Sequence, residues 1–485
     1  MSLLDQRSTT AVVPVPDTAG TPSAAVPRSS FGRRMVAAVT LAAAGWVPLY
    51  TGVLPDALSG SRSAYVLAVP FLVTLIAAGH RSAPRGVGDA ESDWIVAVLV
   101  GGAGLTAIHL LGERLPTLAG LWRLSALTGV VWFACVLIVL FGVRHVTRMR
   151  ALWVFALTVT TPLPVLLAGA QLGGGDRAMV AVAAAVGAVA VALATPGRTA
   201  TIRWGAAAAC LLAGLLTAAL WTPGSGVLVP TLVTAGVLPV AITLAVNGFG
   251  ARAVTAPAFA PPTRSTTSTV ALVVLALTVL VTTAPAGARV GDPVPGVGDG
   301  PAAWGTPTSF GFITRYLGPG STLQRYSVPA VDGLPAAAVD VISTPNAGAL
   351  RDIADAVWYP SARPLDYRAA APSAGFPPGA RTIHSNADAA TTATGPQWYA
   401  VTWPARHGAV HQQITVIVSQ SLTGSVAPPP PAPLSVTATS LRPALWLARQ
   451  QPDDTGAIDD VIRGRATDLA AQFTAAQPAG GSTGV

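Results

Sequence analysis

Nine long apolar stretches, each almost free of charged side chains, occupy the first 285 residues of the chain. A helix that crosses a membrane needs about 20 mainly apolar residues. Only 10% of the residues are charged and 51% are hydrophobic, whereas a soluble domain carries roughly a quarter charged residues. The sequence therefore predicts a polytopic α-helical membrane protein with about nine transmembrane helices. The predicted spans are residues 35–54, 64–79, 94–111, 127–143, 151–170, 179–194, 205–220, 227–246 and 269–283.

The chain after residue 285 has the sequence pattern of a water-soluble domain. Asn346 is placed to cap a helix over residues 347–357. Segments that alternate apolar and polar side chains predict strands, and the last two flank a hairpin turn at residues 404–408. We therefore expect a C-terminal extracytoplasmic α+β domain over residues 286–425. Its predicted strands are residues 322–328, 336–343, 397–403 and 410–420, and its predicted aromatic core is Trp358, Tyr359, Trp398, Tyr399 and Trp403.

The remaining segments are predicted to connect or flank these parts. Residues 1–30 lack apolar periodicity, which is typical of a disordered cytoplasmic tail. Residues 31–285 form the predicted transmembrane domain. The proline-rich residues 426–436 predict a stiff spacer. Residues 437–485 predict a helical segment and tail, in which the best helical pattern covers 456–475 and pairs Asp459 with Arg463.

Arginine indicates how the chain is oriented, because it supplies all the basic charge apart from histidine. Alternate connections between the predicted spans are rich in arginine, and positive residues are retained in the cytoplasm. We therefore expect the N-terminus inside, the sheet-forming domain outside, and the protein in the cell membrane. This dispersed charge also argues against a nucleic-acid partner. The connections predicted to lie outside contain only Arg62, Arg114, Arg123 and Arg177.

Side chains that could perform chemistry are few. Cys135 and Cys210 lie inside apolar stretches, whereas a nucleophilic thiol needs a nearby base or cation to lower its pKa. Both are therefore predicted to be packing residues. His109 and Glu113 share one helical face at the end of the third span, where a solvated cluster is expected. No motif predicts a metal or a cofactor.

Two membrane segments carry a resemblance to a known family. Residues 150–164 (RALWVFALTVTTPLP) and 237–247 (VLPVAITLAVN) resemble segments of the exosortase/archaeosortase family, multi-span proteins regarded as cysteine transpeptidases that process sorting signals. The resemblance implies Cys210 as nucleophile, with Arg252 or His109 as auxiliary groups. The family's cysteine opens a Cys-Ser-Gly type of motif, whereas two leucines follow Cys210, and the arginine is displaced. The resemblance therefore implies a diverged relative.

Three functions stay open at this stage. The leading prediction is a non-catalytic scaffold in the lipid bilayer, whose external domain binds an exported protein or an envelope partner. The exosortase-like transpeptidase is the first alternative, so whether the chain is an enzyme is undecided. A permease is the second, although the middle of every predicted span lacks the charge typical of an ion pathway. The last span also resembles an internal signal sequence, so cleavage after Ala286 or Ala288 is a further hypothesis.

Overall fold

A computed structural model shows a helical bundle followed by a sheet domain. It describes residues 29–81, 90–221, 226–249, 266–282, 293–296, 304–331, 333–361, 364–371, 374–385, 397–422, 426–449 and 458–475. The predicted tail up to residue 28, Arg252, and the hypothetical cleavage positions Ala286 and Ala288 lie outside these residues.

The bundle is built from thirteen α-helices among the described residues, several of them joined end to end by tighter or wider turns. A 3₁₀ helix, Arg62–Ala68, leads into α2, and a second, Leu124–Ala126, leads into α5. A π-helical turn, Val233–Val237, joins α11 to α12. The helices are α1 Ser29–Leu58, α2 Val69–Gly79, α3 Ala90–Arg114, α4 Pro116–Trp122, α5 Leu127–Phe141, α6 Val143–Arg148, α7 Arg150–Thr160, α8 Pro162–Gln171, α9 Asp176–Ala194, α10 Ala200–Leu220, α11 Leu228–Leu232, α12 Leu238–Phe249 and α13 Thr266–Thr282.

The prediction of helices that are long and apolar enough to cross a membrane is confirmed. Among the described residues, seven helical segments are long and apolar enough to cross a membrane. The pair α7 and α8 makes an eighth if it crosses as one bent span. The ninth predicted span corresponds to α13, whose apolar part, Val270–Val279, is shorter than a full crossing. In α13, Leu272, Ala276 and Val279 are buried in the core of the bundle.

The bend between α7 and α8 arises from proline. Pro162 has no N–H to donate and disfavours a helical conformation at the residue before it. Thr161 accordingly adopts an extended conformation, with φ −88° and ψ 114°. The two helices meet at 72°. The predicted span 151–170 is therefore two helices rather than one straight crossing.

Where α1 packs on α5, a glycine of each helix lies against a tryptophan of the other. A Cβ atom on Gly45 would lie 2.7 Å from the Trp132 side chain, and a Cβ atom on Gly129 would collide with the ring of Trp46. The indole N–H of Trp132 donates to the carbonyl of Leu41 at 2.8 Å. Because apolar side chains gain nothing by leaving lipid, close backbone approach of this kind is a main source of helix association in a membrane.

One sheet organises the C-terminal part, in the order β2-β3-β4-β8-β7-β6-β5, with β1 paired in parallel to β7. All other neighbouring strands are antiparallel. The strands are β1 Val294–Pro295, β2 Thr308–Ser309, β3 Thr322–Val328, β4 Ala337–Thr344, β5 Arg368–Ala369, β6 Arg381–His384, β7 Trp398–His407 and β8 Val410–Ser419. The helices of this domain are α14 Thr314–Leu317, α15 Ala347–Asp352, α16 Arg442–Ala448, which follows the π-helical turn Thr437–Leu441, and α17 Asp460–Ala475.

The predicted hairpin is confirmed, with a shorter turn than expected. His407 pairs with Val410, so only Gly408 and Ala409 form the turn, and Gly408 takes a positive φ of 58°. Residues 404–407 continue β7 instead of belonging to the turn.

Helix α17 covers one face of the sheet. Ile462, Leu469 and Phe473 are buried there in one cluster with side chains of β7 and β8. The predicted Asp459–Arg463 ion pair is wrong, because the carboxylate of Asp459 accepts the N–H of Val461 at 2.8 Å. Arg463 pairs with Asp460 instead, at 2.9 Å.

The proline-rich segment packs against the sheet domain through a buried charge pair. Arg325 and Asp340 lie opposite each other on β3 and β4, with Nε and Oδ1 3.4 Å apart. Tyr359 donates its hydroxyl to Asp340 at 2.6 Å, while Arg325 donates to the carbonyl of Pro429 at 2.8 Å. Burial raises the pKa of Asp340 to about 6, against the lowering effects of Arg325 and Tyr359. The segment predicted as a spacer is thus joined to the domain by a buried guanidinium.

Candidate functional site

The bundle and the sheet domain meet at one contact surface, which we call the seam. On the bundle side it consists of residues 55–63 and 113–123, and on the domain side of residues 346–361 and 364–368. The bundle residues belong to the connections that are poor in arginine. The seam therefore shows which set of connections faces the domain.

Asp352, at the end of α15, is the centre of the seam. Its side chain is only 2% exposed. Its Oδ1 accepts hydrogen bonds from the hydroxyls of Ser61 at 2.6 Å and Ser63 at 2.8 Å, and its Oδ2 accepts the backbone N–H of Arg62 at 2.7 Å. Arg123 donates to Oδ1 at 3.1 Å. Burial raises the pKa of Asp352, and Arg123 together with these donors opposes the rise.

The start of α15 fits directly onto the first connection of the bundle. Asn346 caps the helix by accepting the N–H of Ala349 at 3.0 Å, as predicted, and its amide donates to the carbonyl of Gly60 at 2.9 Å. Gly348 donates its N–H to the carbonyl of Ser59 at 3.0 Å. A Cβ atom on Gly348 would collide with the backbone of that connection. Only glycine therefore allows this close approach.

A second carboxylate extends the charge network. Asp56 pairs with Arg123 at 2.9 Å and with Arg351 at 2.9 Å. Arg62 is buried, donates to the carbonyl of Tyr316 at 2.7 Å and lies 3.4 Å from Asp176. The carboxylates of Asp56, Asp176 and Asp352 thus balance the guanidiniums of Arg62, Arg123 and Arg351. Buried charges need such pairing, because an uncompensated one costs several kcal/mol (of order 3–5).

Two neighbouring cavities open along the seam. The polar cavity, of about 300 Å³, is lined by Glu113, Arg114, Asp366, Arg368 and His384 among others. The apolar cavity, of about 260 Å³, is lined by Leu118, Leu121, Trp358, Leu434 and Arg442 among others. Both also contact Pro364 and Leu365. They therefore lie side by side, where α3 and α4 meet the sheet domain.

The segment from residue 432 to 446 closes the cavities on one side. The indole N–H of Trp122 donates to the carbonyl of Thr439 at 3.0 Å. The guanidinium of Arg114 lies over the ring of Trp446, 5.4 Å from its centroid. These contacts hold α16 against the ends of α3 and α4.

The site residues implied by the family resemblance are not gathered at the seam. Cys210 is fully buried on α10, in an apolar cluster with Ala188, Val191 and Ala206. His109 is exposed on α3 and lies 3.3 Å from Glu113, which is the solvated arrangement expected there. Arg252 lies outside the described residues. Within the part that the structure describes, these positions therefore do not form one constellation.

The predicted aromatic core is confirmed, since Trp358, Tyr359, Trp398, Tyr399 and Trp403 are all buried. Among the described residues, no group of three or more His, Cys, Asp or Glu side chains is arranged to hold a metal. His407 pairs with Val410 and His411 with Arg406, so the two histidine side chains lie on opposite faces of the hairpin.

Sequence reasoning missed the acidic half of the seam. Asp56 and Asp352 belong to no recognisable motif, and neither do Ser61 and Ser63. Arg62 and Arg123 gave an indirect signal, because they lie in the connections that otherwise contain few arginines. Arginine at such a place needs acidic partners.

No protein-family model, curated protein or solved structure matches this chain. The seam is therefore interpreted from its own geometry. It offers opposed charges that fix two structural units together, and beside them two cavities with cationic and apolar walls. In the described residues it presents no thiol.

Proposed function

We propose that the protein is a scaffold of the cell membrane that holds its sheet domain rigidly outside for an exported protein or an envelope partner. The observation that carries the proposal is the buried network around Asp352. A domain that only needed a tether would require one membrane helix. Two connections of the bundle pair with the domain across the seam, Asp56 with Arg351 and Arg123 with Asp352, and a third approaches it at Gly174, where a Cβ atom would collide with the backbone of Arg315. The bundle thus holds the sheet domain in a fixed position.

The proposed orientation is supported by the distribution of arginine between the two ends of the bundle. The sheet domain contacts the arginine-poor connections, and positive residues are retained in the cytoplasm. On the opposite side, arginines satisfy the carbonyls at helix ends, as Arg34 does for Leu140 at 3.0 Å and Arg198 for Val246 at 3.0 Å. Alkaline phosphatase fused after residue 485 should be active and a fluorescent protein there should be dark. The reverse result would contradict the proposal.

Complementation of a deletion strain separates a scaffold from an enzyme. Cys210→Ala and His109→Ala should restore the wild-type envelope phenotype, because neither residue belongs to the seam. Asp352→Asn and Arg123→Gln should fail, although both proteins reach the membrane. An indispensable Cys210, with tolerated seam variants, would favour the transpeptidase instead.

The permease alternative is favoured by one observation, the break between α7 and α8. Broken helices form substrate sites in many transporters, and Thr160 beside the break is fully buried, with no hydrogen-bond partner for its hydroxyl among the described residues. A water-filled path there would expose the position. Thr160→Cys in a protein without other cysteines should resist a charged methanethiosulfonate reagent if the scaffold proposal holds, and it should react if the break lines a path.

A further inference from the structure

We propose that the two cavities of the seam bind the headgroup and first carbons of an anionic phospholipid, taken from the leaflet on the side of the sheet domain. This inference needs α3 to cross a membrane, and it does not rest on the scaffold role. The polar and apolar cavities lie side by side and share Pro364 and Leu365. Each has a volume near the lower end of the range for ligand pockets, about 300–1,000 Å³.

Cationic donors at the cavities are available for an anion. Arg368 lines the polar cavity and Arg442 the apolar one, and both side chains are exposed. Neither guanidinium forms an ion pair with any residue that the structure describes. Guanidiniums bind phosphate oxygens through paired, charge-assisted hydrogen bonds. The two arginines therefore provide the charge that an acidic headgroup requires.

The carboxylates near the cavities already have other partners. Glu113 lies 3.3 Å from His109. Asp366 accepts the backbone N–H of Thr117 at 3.3 Å, and Asp355 pairs with Arg381 at 2.6 Å. The acidic side chains are thus engaged with neighbours, while the two guanidiniums are not. An anion is favoured over a cation for this reason.

Trp358 forms part of the wall of the apolar cavity and is only 4% exposed. Its indole N–H has no acceptor among the described residues, whereas buried tryptophan N–H groups usually find one. The nitrogen itself is closed to solvent, so Trp358 contributes its ring to the wall of the cavity.

The apolar wall and its location point to a lipid rather than a free anion. Leu118, Leu121, Leu365 and Leu434 line the apolar cavity, and a free phosphate would gain nothing from them. The hydrophobic span of α3 ends at Arg114, which also lines the polar cavity. The cavities therefore lie at the level of the headgroups, where basic pockets beside membrane helices bind acidic lipids.

The test uses the full-length protein purified in dodecyl maltoside. Binding of a fluorescent phosphatidylglycerol is followed by anisotropy, with unlabelled phosphatidylglycerol, phosphatidylcholine and inorganic phosphate as competitors. We expect phosphatidylglycerol to compete at least tenfold better than the other two. Arg368→Gln and Arg442→Gln should each weaken binding by about tenfold, the effect of losing one charge-assisted contact. Arg406→Gln, at the far end of β7, is the matched control and should bind as wild type does.

A second variant keeps the test independent of charge and folding. Ala438 is exposed and lines the apolar cavity, so Ala438→Trp should fill the cavity and weaken binding while the unfolding temperature without lipid stays unchanged. The proposal would be overturned if phosphatidylcholine or inorganic phosphate competed as well as phosphatidylglycerol. It would also be overturned if the two arginine variants and Ala438→Trp all bound the lipid as the wild type does.

Discussion

Replacing Asp352 by asparagine tests whether the seam fixes the sheet domain to the bundle. The substitution keeps the shape of the side chain and removes its charge. The carboxylate accepts from Arg123 and both hydroxyls on Oδ1 and from the N–H of Arg62 on Oδ2. An amide presents an N–H₂ group at one of these positions. In either orientation that group faces a donor, Arg123 or the backbone N–H of Arg62.

The expected loss is about 3 kcal/mol of the free energy that opposes opening of the seam. Breaking a buried ion pair costs roughly 3–5 kcal/mol. The lower end applies because Arg123 is 17% exposed and keeps Asp56 as a partner at 2.9 Å. Since 1.36 kcal/mol corresponds to one factor of ten, the seam should open about 100-fold more often.

Amide hydrogen exchange measures this opening directly. The N–H groups of Arg62 and Gly348 donate across the seam, so their exchange should accelerate by about 100-fold in the variant. Peptides from α10, remote from the seam, should exchange as in the wild type. Asp460→Asn is the matched control, because it removes an ion pair of similar length, 2.9 Å against 3.1 Å, whose carboxylate is 94% exposed, and it should change nothing at the seam. A rise below threefold at Arg62 and Gly348, or an equal rise in α10, would refute the reasoning.

Three further predictions concern packing, thiol accessibility and pH. Gly45→Ala should destabilise the bundle by roughly 1–3 kcal/mol through overpacking, because the new methyl would press on Trp132; Gly52→Ala on the same helix has no atom within 4 Å and should leave the unfolding temperature in detergent unchanged or higher. In a Cys135→Ala variant, Cys210 should react with N-ethylmaleimide only after denaturation in dodecyl sulfate, and labelling of the folded protein would contradict its enclosed position. Burial raises the pKa of Asp340 to about 6 in the folded protein, against about 4 in the unfolded chain. The folded state therefore binds this proton more tightly, so the contribution of Asp340 to the free energy of unfolding is complete below pH 4 and is lost as the pH rises through 6. The difference in the free energy of unfolding of the sheet domain between the wild type and Asp340→Asn should therefore change between pH 4 and 6. A difference that stays constant over this range would contradict the prediction.

The membrane helices and the strands were predictable because each follows from local periodicity. The strand over residues 322–328 is observed with those limits, and Asn346 caps its helix because a side-chain oxygen at that position satisfies a local N–H. The limits of helices were less accurate where proline or tertiary contacts decide them. The predicted helix over 347–357 ends at Asp352, whose side chain points into the seam.

The candidate site could not be predicted, because its partners are far apart in the chain. Ser61 and Asp352 are separated by 291 positions, and no spacing rule links such residues. Trp358 and Arg442 line one cavity only because the segment after the proline-rich run folds back over α4. Composition also gave no way to single out Arg368 and Arg442, since every basic side chain other than histidine is arginine.

The seam also sets an order for making the protein. Arg62 and Arg123 are synthesised early. Asp352, whose carboxylate contacts both residues, is synthesised only after every helix of the bundle. Until the part of the chain after residue 285 has been made, these guanidiniums lack a main partner. A chain stopped after residue 285 would leave Arg123 without Asp352 and Arg62 without the carbonyl of Tyr316. Completion of the sheet domain thus supplies the partners that Arg62 and Arg123 lack until then.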